Sequence, residues 1–321
     1  MNYVLIFFAI GLVIVLIWKI PYWILKTYKN KITKYEILYL VNENRKTVAQ
    51  ILGGICFLIG LGFSWNQVTS TKESGILSER MFIRESFNDA IQHIGNKESQ
   101  VRLGGIYSFR KLTNESSGYT ETIIQILSTY IRQHCNDSIN GYLSEEIQAA
   151  IDVITKNELI PSGKISFFNL NNIILNKYNF NNSELSESKL YNSEFIDVQF
   201  IDANFEKAKA YTTTFLNCNF HCANLKSADF TGAVFYESHL AYTDLSNVFA
   251  SKSDFKEVNL ENANLSGGDF SESKFHDSNL QGTALNNTNL CGANLKTVKG
   301  LTYEQIKYAK IDSMTILPNF N

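Results

Sequence analysis

A period of five residues governs the second half of the chain, and few folds can carry it. From Leu170 to Leu295 every fifth residue is Leu or Phe, except Ala210 and Ala250. Two positions before each centre, from Ser183 to Ala293, the residue is always Ala, Ser, Thr, Cys, Val or Gly. One position before the centre Asn or Asp recurs, as at Asn204, Asn219, Asn224, Asp229, Asp244, Asp254, Asn259, Asn264 and Asp269. An α-helix repeats its face about every 3.6 residues and a strand about every 2, so neither sustains five. The centre and the small residue before it have strand parity and point to one side. The large side chain fills an interior and the small one leaves room for it. The remaining three residues must bend the chain. A chain that keeps turning one way closes a coil, and coils stacked at about 4.8 Å can pair their backbones. Residues 165–300 are therefore expected to form a solenoid with a Leu and Phe core.

The other end of the chain is apolar. Residues 1–25 begin with "MNYVLIFFAIGLVIVLIW", which has no charged side chain. About 18–20 apolar residues suffice to cross a bilayer. A signal peptide would need a basic start and a small-residue cleavage site, and neither is present. Trp18, Tyr22 and Trp23 suit an interfacial belt, with Lys19 and Lys26 able to snorkel. Residues 47–66 read as a second transmembrane helix, ending near Trp65, with Gly53, Gly54, Gly60 and Gly62 on its surface. Between them, a loop at 26–46 holds Lys26, Lys29, Lys31, Lys34, Arg45 and Lys46 against Glu36 and Glu43. The positive-inside rule puts this loop in the cytoplasm and the repeat domain on the outer side. The odd set of five cysteines, with no disulfide framework, points instead toward a reducing compartment.

Residues 76–157 read as a small α-helical neck. The stripe Phe82, Ile83, Phe87, Ala90, Ile91, Ile94 stops at Gly95, a candidate C-cap. Further stripes run through Val101, Leu103, Ile106, Phe109 and Leu112, then Ile123, Ile124, Ile126, Leu127 and Ile131. A last one begins at the N-cap candidate Ser144 and holds Ile147, Ala150, Ile151 and Ile154. His93 and His134 lie in this region without a catalytic partner pattern. Residues 301–321 read as a C-terminal cap opened by a helix in "LTYEQIKYAK", with a capping-box spacing at Thr302 and Gln305. Ile306 and Ala309 are placed to cover the last coil. Phe168, Ile173 and Tyr178 break the small-residue rule and are expected at the seam with the neck.

The stretches "HCANLKSADFTGAVF", "VNLENANLSGGDF" and "NNTNLCGANL" resemble the pentapeptide-repeat family, whose pattern is A(D/N)LXX. That resemblance implies a right-handed quadrilateral β-helix with four pentapeptides per coil. Residues twenty apart would then stack, placing Phe195, Phe215, Phe235, Phe255 and Phe275 in one core column. The segments "ENRKTVAQILGGICFLIGLGFSW" and "FNDAIQHIGNKESQVRLGGIYSFRKL" resemble membrane-anchored bacterial members, in which two spans and a helical region precede the repeats. The resemblance names an architecture rather than an activity.

For function, the sequence excludes more than it specifies. No phosphate-cradling glycine motif, metal-spaced cluster or catalytic set is visible, so neither a cofactor nor a metal is expected and no enzyme is indicated. His221, His239 and Cys222 would share a face but lack a further ligand. A net charge of −2 argues against nucleic acid as a partner. The candidate partner-binding residues are aromatic: Tyr191 and Tyr211, stacked outward, and Phe249 farther along the same face. Phe249 could alternatively swing inward beside Ala250. The expected function is a membrane-anchored, non-enzymatic scaffold presenting a rigid rod to a protein partner, and self-association is compatible with it. Two other readings stand beside it. Family members of the quinolone-resistance type act as DNA mimics on a topoisomerase, but residues 165–300 carry 15 Asp or Glu against 10 Lys, a net of only −5 and not segregated to one face. An enzyme would need a site at the neck–rod junction.

Overall fold

The computed structural model describes residues 33–135, 144–156 and 168–320, with isolated positions between 11 and 27. The first expected span, 1–25, lies largely outside the described residues. The chain divides into two compact units, Met1–Met81 and Phe82–Asn321.

Helix α1 runs unbroken over Lys34–Ile94. It corrects the expected loop at 26–46, because Lys34 to Lys46 are helical and continue into the second apolar segment. Thr33 explains the start: its N–H and hydroxyl both donate to Glu36 Oε2, at 3.0 and 2.7 Å, the reach-back half of a capping box. No proline interrupts the residues that follow, so the helix also runs through the expected boundary near residue 76. Among the described residues this is the one helix long and apolar enough to cross a membrane.

In the second unit, the end of α1 packs with α2 (Ser99–Glu115), α3 (Thr120–His134) and α4 (Glu145–Thr155). Phe87, Ala90, Ile106, Phe109, Leu112, Ile124, Leu127, Ile147, Ile151 and Ile154 are buried, whereas Phe82 and Ile91 are exposed. Gly95 follows the helix end without a left-handed φ, so it is not a left-handed cap. The glycine that matters is Gly105. A Cβ there would stand 2.9 Å from Ala90 O and His93 Cβ, so only glycine lets α2 approach α1 this closely. Ser144 caps α4 by accepting from Ile147 N.

From Phe168 onward the chain coils with a pitch of twenty residues. Strands β1 (Ile174–Asn176), β2 (Glu194–Ile196), β3 (Thr214–Leu216) and β4 (Val234–Tyr236) pair in parallel, each residue opposite the one twenty later. Isolated parallel bridges repeat the same offset on the other faces, from Asn169↔Lys189 to Asn279↔Lys299. Every centre from Leu170 to Leu295 is buried, including Ala210 and Ala250. The phenylalanines stack with centroid spacings of 5.3 Å (Phe195–Phe215), 4.8 Å (Phe215–Phe235), 5.0 Å (Phe235–Phe255) and 5.0 Å (Phe255–Phe275).

Two polar devices make each corner. The residue two after each centre, from Asn172 to Gly292, adopts a left-handed φ, although most of these are not glycine. The Asn or Asp before a centre accepts a hydrogen bond from the backbone N–H two residues on, as Asn224 Oδ1 does from Lys226 N at 3.1 Å. Its amide then donates along the stack, Asn224 Nδ2 to Asn204 Oδ1 at 2.9 Å and Asn264 Nδ2 to Asp244 Oδ1 at 3.1 Å. Buried hydroxyls at the small positions donate to backbone carbonyls, either of the preceding coil, as Thr213 Oγ1 does to Leu190 O at 2.8 Å, or of their own, as Ser188 Oγ does to Leu185 O at 2.6 Å.

Both ends of the solenoid are sealed. At the first coil α4 supplies what a preceding rung would: Glu184 N donates to Thr155 O at 2.8 Å, and the Gln148 side chain exchanges hydrogen bonds with Asn179 N and O at 2.9 and 2.8 Å. Arg132 Nη1 donates to Asn169 O at 2.6 Å. Phe168, Ile173 and Tyr178 are buried here, and Ser144 N donates to the Tyr178 hydroxyl at 3.4 Å. At the other end the expected capping helix is shorter than its sequence suggested. Helix α5 covers Tyr303–Ile306 alone, with the Thr302–Gln305 capping box formed. The chain then resumes bridging at Asn289↔Lys310 and Asn294↔Ile316, because the last coil's backbone groups still need partners. Ile306 is buried, and Ala309 packs against the core.

Candidate interaction face

One face of the solenoid is centred on Leu190, Ala210, Phe230, Ala250 and Phe270. Its outward residues flank those buried centres. Tyr191 and Tyr211 follow Leu190 and Ala210, and their rings stack at 4.7 Å with an interplanar angle of 3°. Each half covers the other. Phe249 precedes Ala250 on the same face, bridged to Asp229 and Asp269 in the adjoining coils, and is 58 % exposed. It therefore does not swing inward, and the fully buried Ala250 leaves it in solvent. Lys189 and Lys209 stand across the buried centres from the two tyrosines. The face thus offers a rigid aromatic pair, a separate exposed ring and two cations.

The histidines share another face. His221 and His239 stack at 5.5 Å, and Tyr242 meets His221 edge-on at 5.5 Å. His239 Nδ1 shares a hydrogen bond with Asn259 Nδ2 at 3.1 Å. Burial, and then the neighbouring His221, hold His239 below the ordinary imidazole value. Cys222 is exposed, and among the described residues no three His, Cys, Asp or Glu side chains converge as a metal site would require. Cys218, in contrast, is buried, and that burial pushes its thiol up to about 12.

An open cleft of about 420 Å³ lies in the neck, lined by Ile94, Gln125, Tyr130, Gln133 and His134 among others. The His134 ring lies against Tyr130, centroids 4.5 Å apart and planes tilted by 39°. Tyr130 donates through its hydroxyl to Glu146 Oε2, and Arg102 forms two 2.9 Å bonds with the same carboxylate. This charged group braces α2, α3 and α4. The lining residues belong to the neck, and one of them, Thr129, accepts a 2.9 Å hydrogen bond from Arg132, which also donates to the first coil at Asn169 O.

Two features of the rod surface escaped the sequence reading. A single corner, read at twenty-residue intervals from 177, carries Lys177, Asp197, Asn217, Glu237, Glu257 and Asp277, so the acidic charge is in part segregated. Beside them the outward residues Ile196, Leu216 and Tyr236 form an apolar column, half-buried by one another. The signal was available: sorting outward positions by their place in a twenty-residue coil, rather than in a five-residue repeat, isolates both columns.

A parallel solenoid with a twenty-residue coil and a left-handed corner in each repeat defines the structural class of the rod. The family model "Pentapeptide repeats" matches it in eight copies between residues 179 and 292, so those residues are pentapeptide repeats. No curated protein matches the chain. Among solved structures, HetL, a pentapeptide repeat protein involved in heterocyst differentiation regulation from the cyanobacterium Nostoc sp. strain PCC 7120, is 21% identical with a TM-score of 0.31. That match covers 40% of this chain and 61% of HetL, so the chain spans less than two thirds of HetL's length. QnrB1, a plasmid-mediated fluoroquinolone resistance protein, is 19% identical with a TM-score of 0.35, over 44% of this chain and 84% of QnrB1. A pentapeptide repeat protein of the Arabidopsis thaliana thylakoid lumen is 22% identical with a TM-score of 0.28, over 40% of this chain and 72% of its own.

Proposed function

We propose that the chain is a membrane-anchored, non-enzymatic interaction protein whose rod presents the Tyr191–Tyr211–Phe249 face to a protein partner. The observation that carries this reading is the outward stacking of Tyr191 on Tyr211 with Phe249 exposed beyond them. Stacked tyrosines on a backbone pinned by rungs lose little conformational freedom on binding, and aromatic anchors of this kind dominate interface energetics. The double variant Tyr191→Ala with Tyr211→Ala is expected to keep the full chain's melting temperature within about 3 °C, since neither ring fills the core. The same variant is expected to lower recovery of a cross-linked partner at least 10-fold. Unchanged recovery would remove this face from the proposal.

The anchor consists of residues 1–25 and 47–66 as two spans, with the basic segment between them cytoplasmic and the rod outside. The apolar stretch within α1 supports the second span. Cys222 is the natural reporter, because it is exposed while Cys218 is buried and its thiol held up to about 12. In a variant whose only remaining cysteine is Cys222, a membrane-impermeant maleimide is expected to label intact cells. Labelling only after lysis would reverse the orientation and direct the search for partners to the cytoplasm.

A second reading, a DNA-mimic regulator of a topoisomerase-type enzyme, draws support from the acidic corner. Inhibition of supercoiling by the purified full chain would favour it over the scaffold.

A further inference from the structure

The face centred on Leu175, Phe195, Phe215 and Phe235 is built differently from the others. Among the described residues it alone carries continuous strands, β1 to β4, rather than isolated bridges. One of its two outward columns is apolar over three rungs, Ile196, Leu216 and Tyr236 after Asn176, while the other is mixed, Ile174, Glu194, Thr214 and Val234. Ile174 is 47 % exposed, and the rest shield one another in part. Along the adjoining corner run Asp197, Asn217, Glu237, Glu257 and Asp277, with Asn217 Nδ2 donating to Asp197 Oδ1 at 2.7 Å. No Lys or Arg occurs at 194–197, 214–217 or 234–237, and Lys177 precedes Asp197 at the first position of this corner. Lys256 closes the stripe, with its ammonium 4.9 Å from the centre of the Tyr236 ring and 3.5 Å from Glu257.

We propose that this face binds a basic amphipathic helix of a partner protein. The helix lies along the rod with its apolar stripe on Ile196, Leu216 and Tyr236 and its cations on the Asp197–Asp277 corner. This occupant is argued from charge and from spacing. Carboxylates beside an uncharged apolar stripe repel acidic peptides and anionic lipid, and a polycation without apolar side chains would leave the stripe wet. Rungs repeat at about 4.8 Å, and the turns of a helix at about 5.4 Å. From Asp197 to Asp277 is four rungs, over which that mismatch grows to about 2.4 Å, well within the reach of Lys and Arg side chains. An extended strand repeats its one-sided residues at about 6.7 Å and leaves register within two rungs.

The test titrates the full-length protein, held in zwitterionic nanodiscs, with a fluorescein-labelled helical peptide. The peptide has about 14 residues, a Leu stripe at helical spacing and Lys on one flank. Empty discs give the background. Saturable binding is expected, weakened at least 10-fold by Glu237→Lys with Glu257→Lys and likewise by Leu216→Ser with Tyr236→Ser. The charge-reversal pair keeps the test decisive should the apolar pair fail to fold. Lys207 and Lys252 already occupy equivalent corners with φ of 59° and 60°, so the backbone accepts lysine there. Tyr191→Ala with Tyr211→Ala is expected to bind as the unmodified protein does, so failure here and failure of the tyrosine-face reading are separable. The proposal is overturned by charge-reversal binding within 2-fold of the original, by equal binding of the peptide with Glu for Lys, or by equal binding of an unstructured polylysine of the same charge.

Discussion

Phe235→Asp is expected to leave the rod unfolded and open to trypsin at Lys226 and Lys252, sites that the folded coil protects. Phe235 is fully buried. Its ring lies between Phe215 and Phe255 at 4.8 and 5.0 Å, with Phe220 and Phe230 edge-on at 5.8 and 5.3 Å. Removing a ring of this size costs about 3–5 kcal/mol in cavity and lost contacts. The carboxylate adds a desolvation penalty of at least about 2 kcal/mol, because every charge on the neighbouring coils points outward. A single domain has about 5–15 kcal/mol to lose, and a solenoid interrupted mid-stack loses the coupling between its two halves as well. Leu225→Asp should behave alike for the same reason. Phe235→Leu is the control, costing about 1–1.5 kcal/mol and keeping the rod resistant. A trypsin-resistant Phe235→Asp protein with an undiminished circular dichroism melt would mean that Phe235 does not face the interior.

Such a prediction can be framed from sequence because the rod's core is written in a strict period. Large residues at every fifth position and small ones two before them fix which side chains point inward, and one frame held over the whole array fixes the register. The corners were less legible. The frequent Asn and Asp before each centre was visible, but its double use, closing its own turn and laddering to the next coil, depends on contacts twenty residues apart. The left-handed residue two after each centre was only partly signalled: 14 of the 25 from Asn172 to Gly292 are Asn, Asp or Gly, but Lys207, Thr212 and Glu257 adopt it as Asn172 and Asn192 do. The boundaries of α1 were misplaced for another reason. A run of charged residues at 34–46 reads as a loop between spans, yet Thr33 and Glu36 form a start signal and nothing downstream breaks the helix.

The candidate faces were legible in part. Tyr191 and Tyr211 follow from the twenty-residue coil, and their stacking needs nothing more. Phe249 had two sequence-compatible positions, and only the packing around Ala250 decides for the outward one. The Ile196–Leu216–Tyr236 column was hidden because apolar residues in this chain are so numerous that three more, spaced twenty apart, do not stand out until positions are sorted by face. Scaffold, DNA mimic and enzyme place different demands on surface chemistry and nearly identical demands on the core, so a repeat that specifies its core this firmly says little about use.

The neck makes a different prediction, because its helices are tied by charge. Burial alone would raise the Glu146 carboxyl, but hydrogen bonds from Arg102, Ser99 and Tyr130 outweigh it and hold that carboxyl below its ordinary value. Glu146→Ala is expected to destabilise the neck by about 2–3 kcal/mol, somewhat under the cost at a fully buried pair, since the Arg102 side chain keeps 22% exposure. The variant also leaves the Tyr130 hydroxyl without its acceptor in the core. The sign of the pH dependence follows from the direction of the shift. A carboxyl lowered in the native state contributes its full stability above the unfolded value, about 4.3, and loses it as pH falls through the lowered native value. The full chain should therefore melt at progressively lower temperature on acidification below about pH 4.3, and Glu146→Gln should lack that part of the loss while being less stable at pH 7. Melting curves of both proteins from pH 7 to about pH 3, followed by circular dichroism at the helical band, supply the comparison. Parallel acid profiles for the two, or a Glu146→Ala cost under about 0.5 kcal/mol, would show that the Arg102–Glu146–Tyr130 group does not hold the helices together.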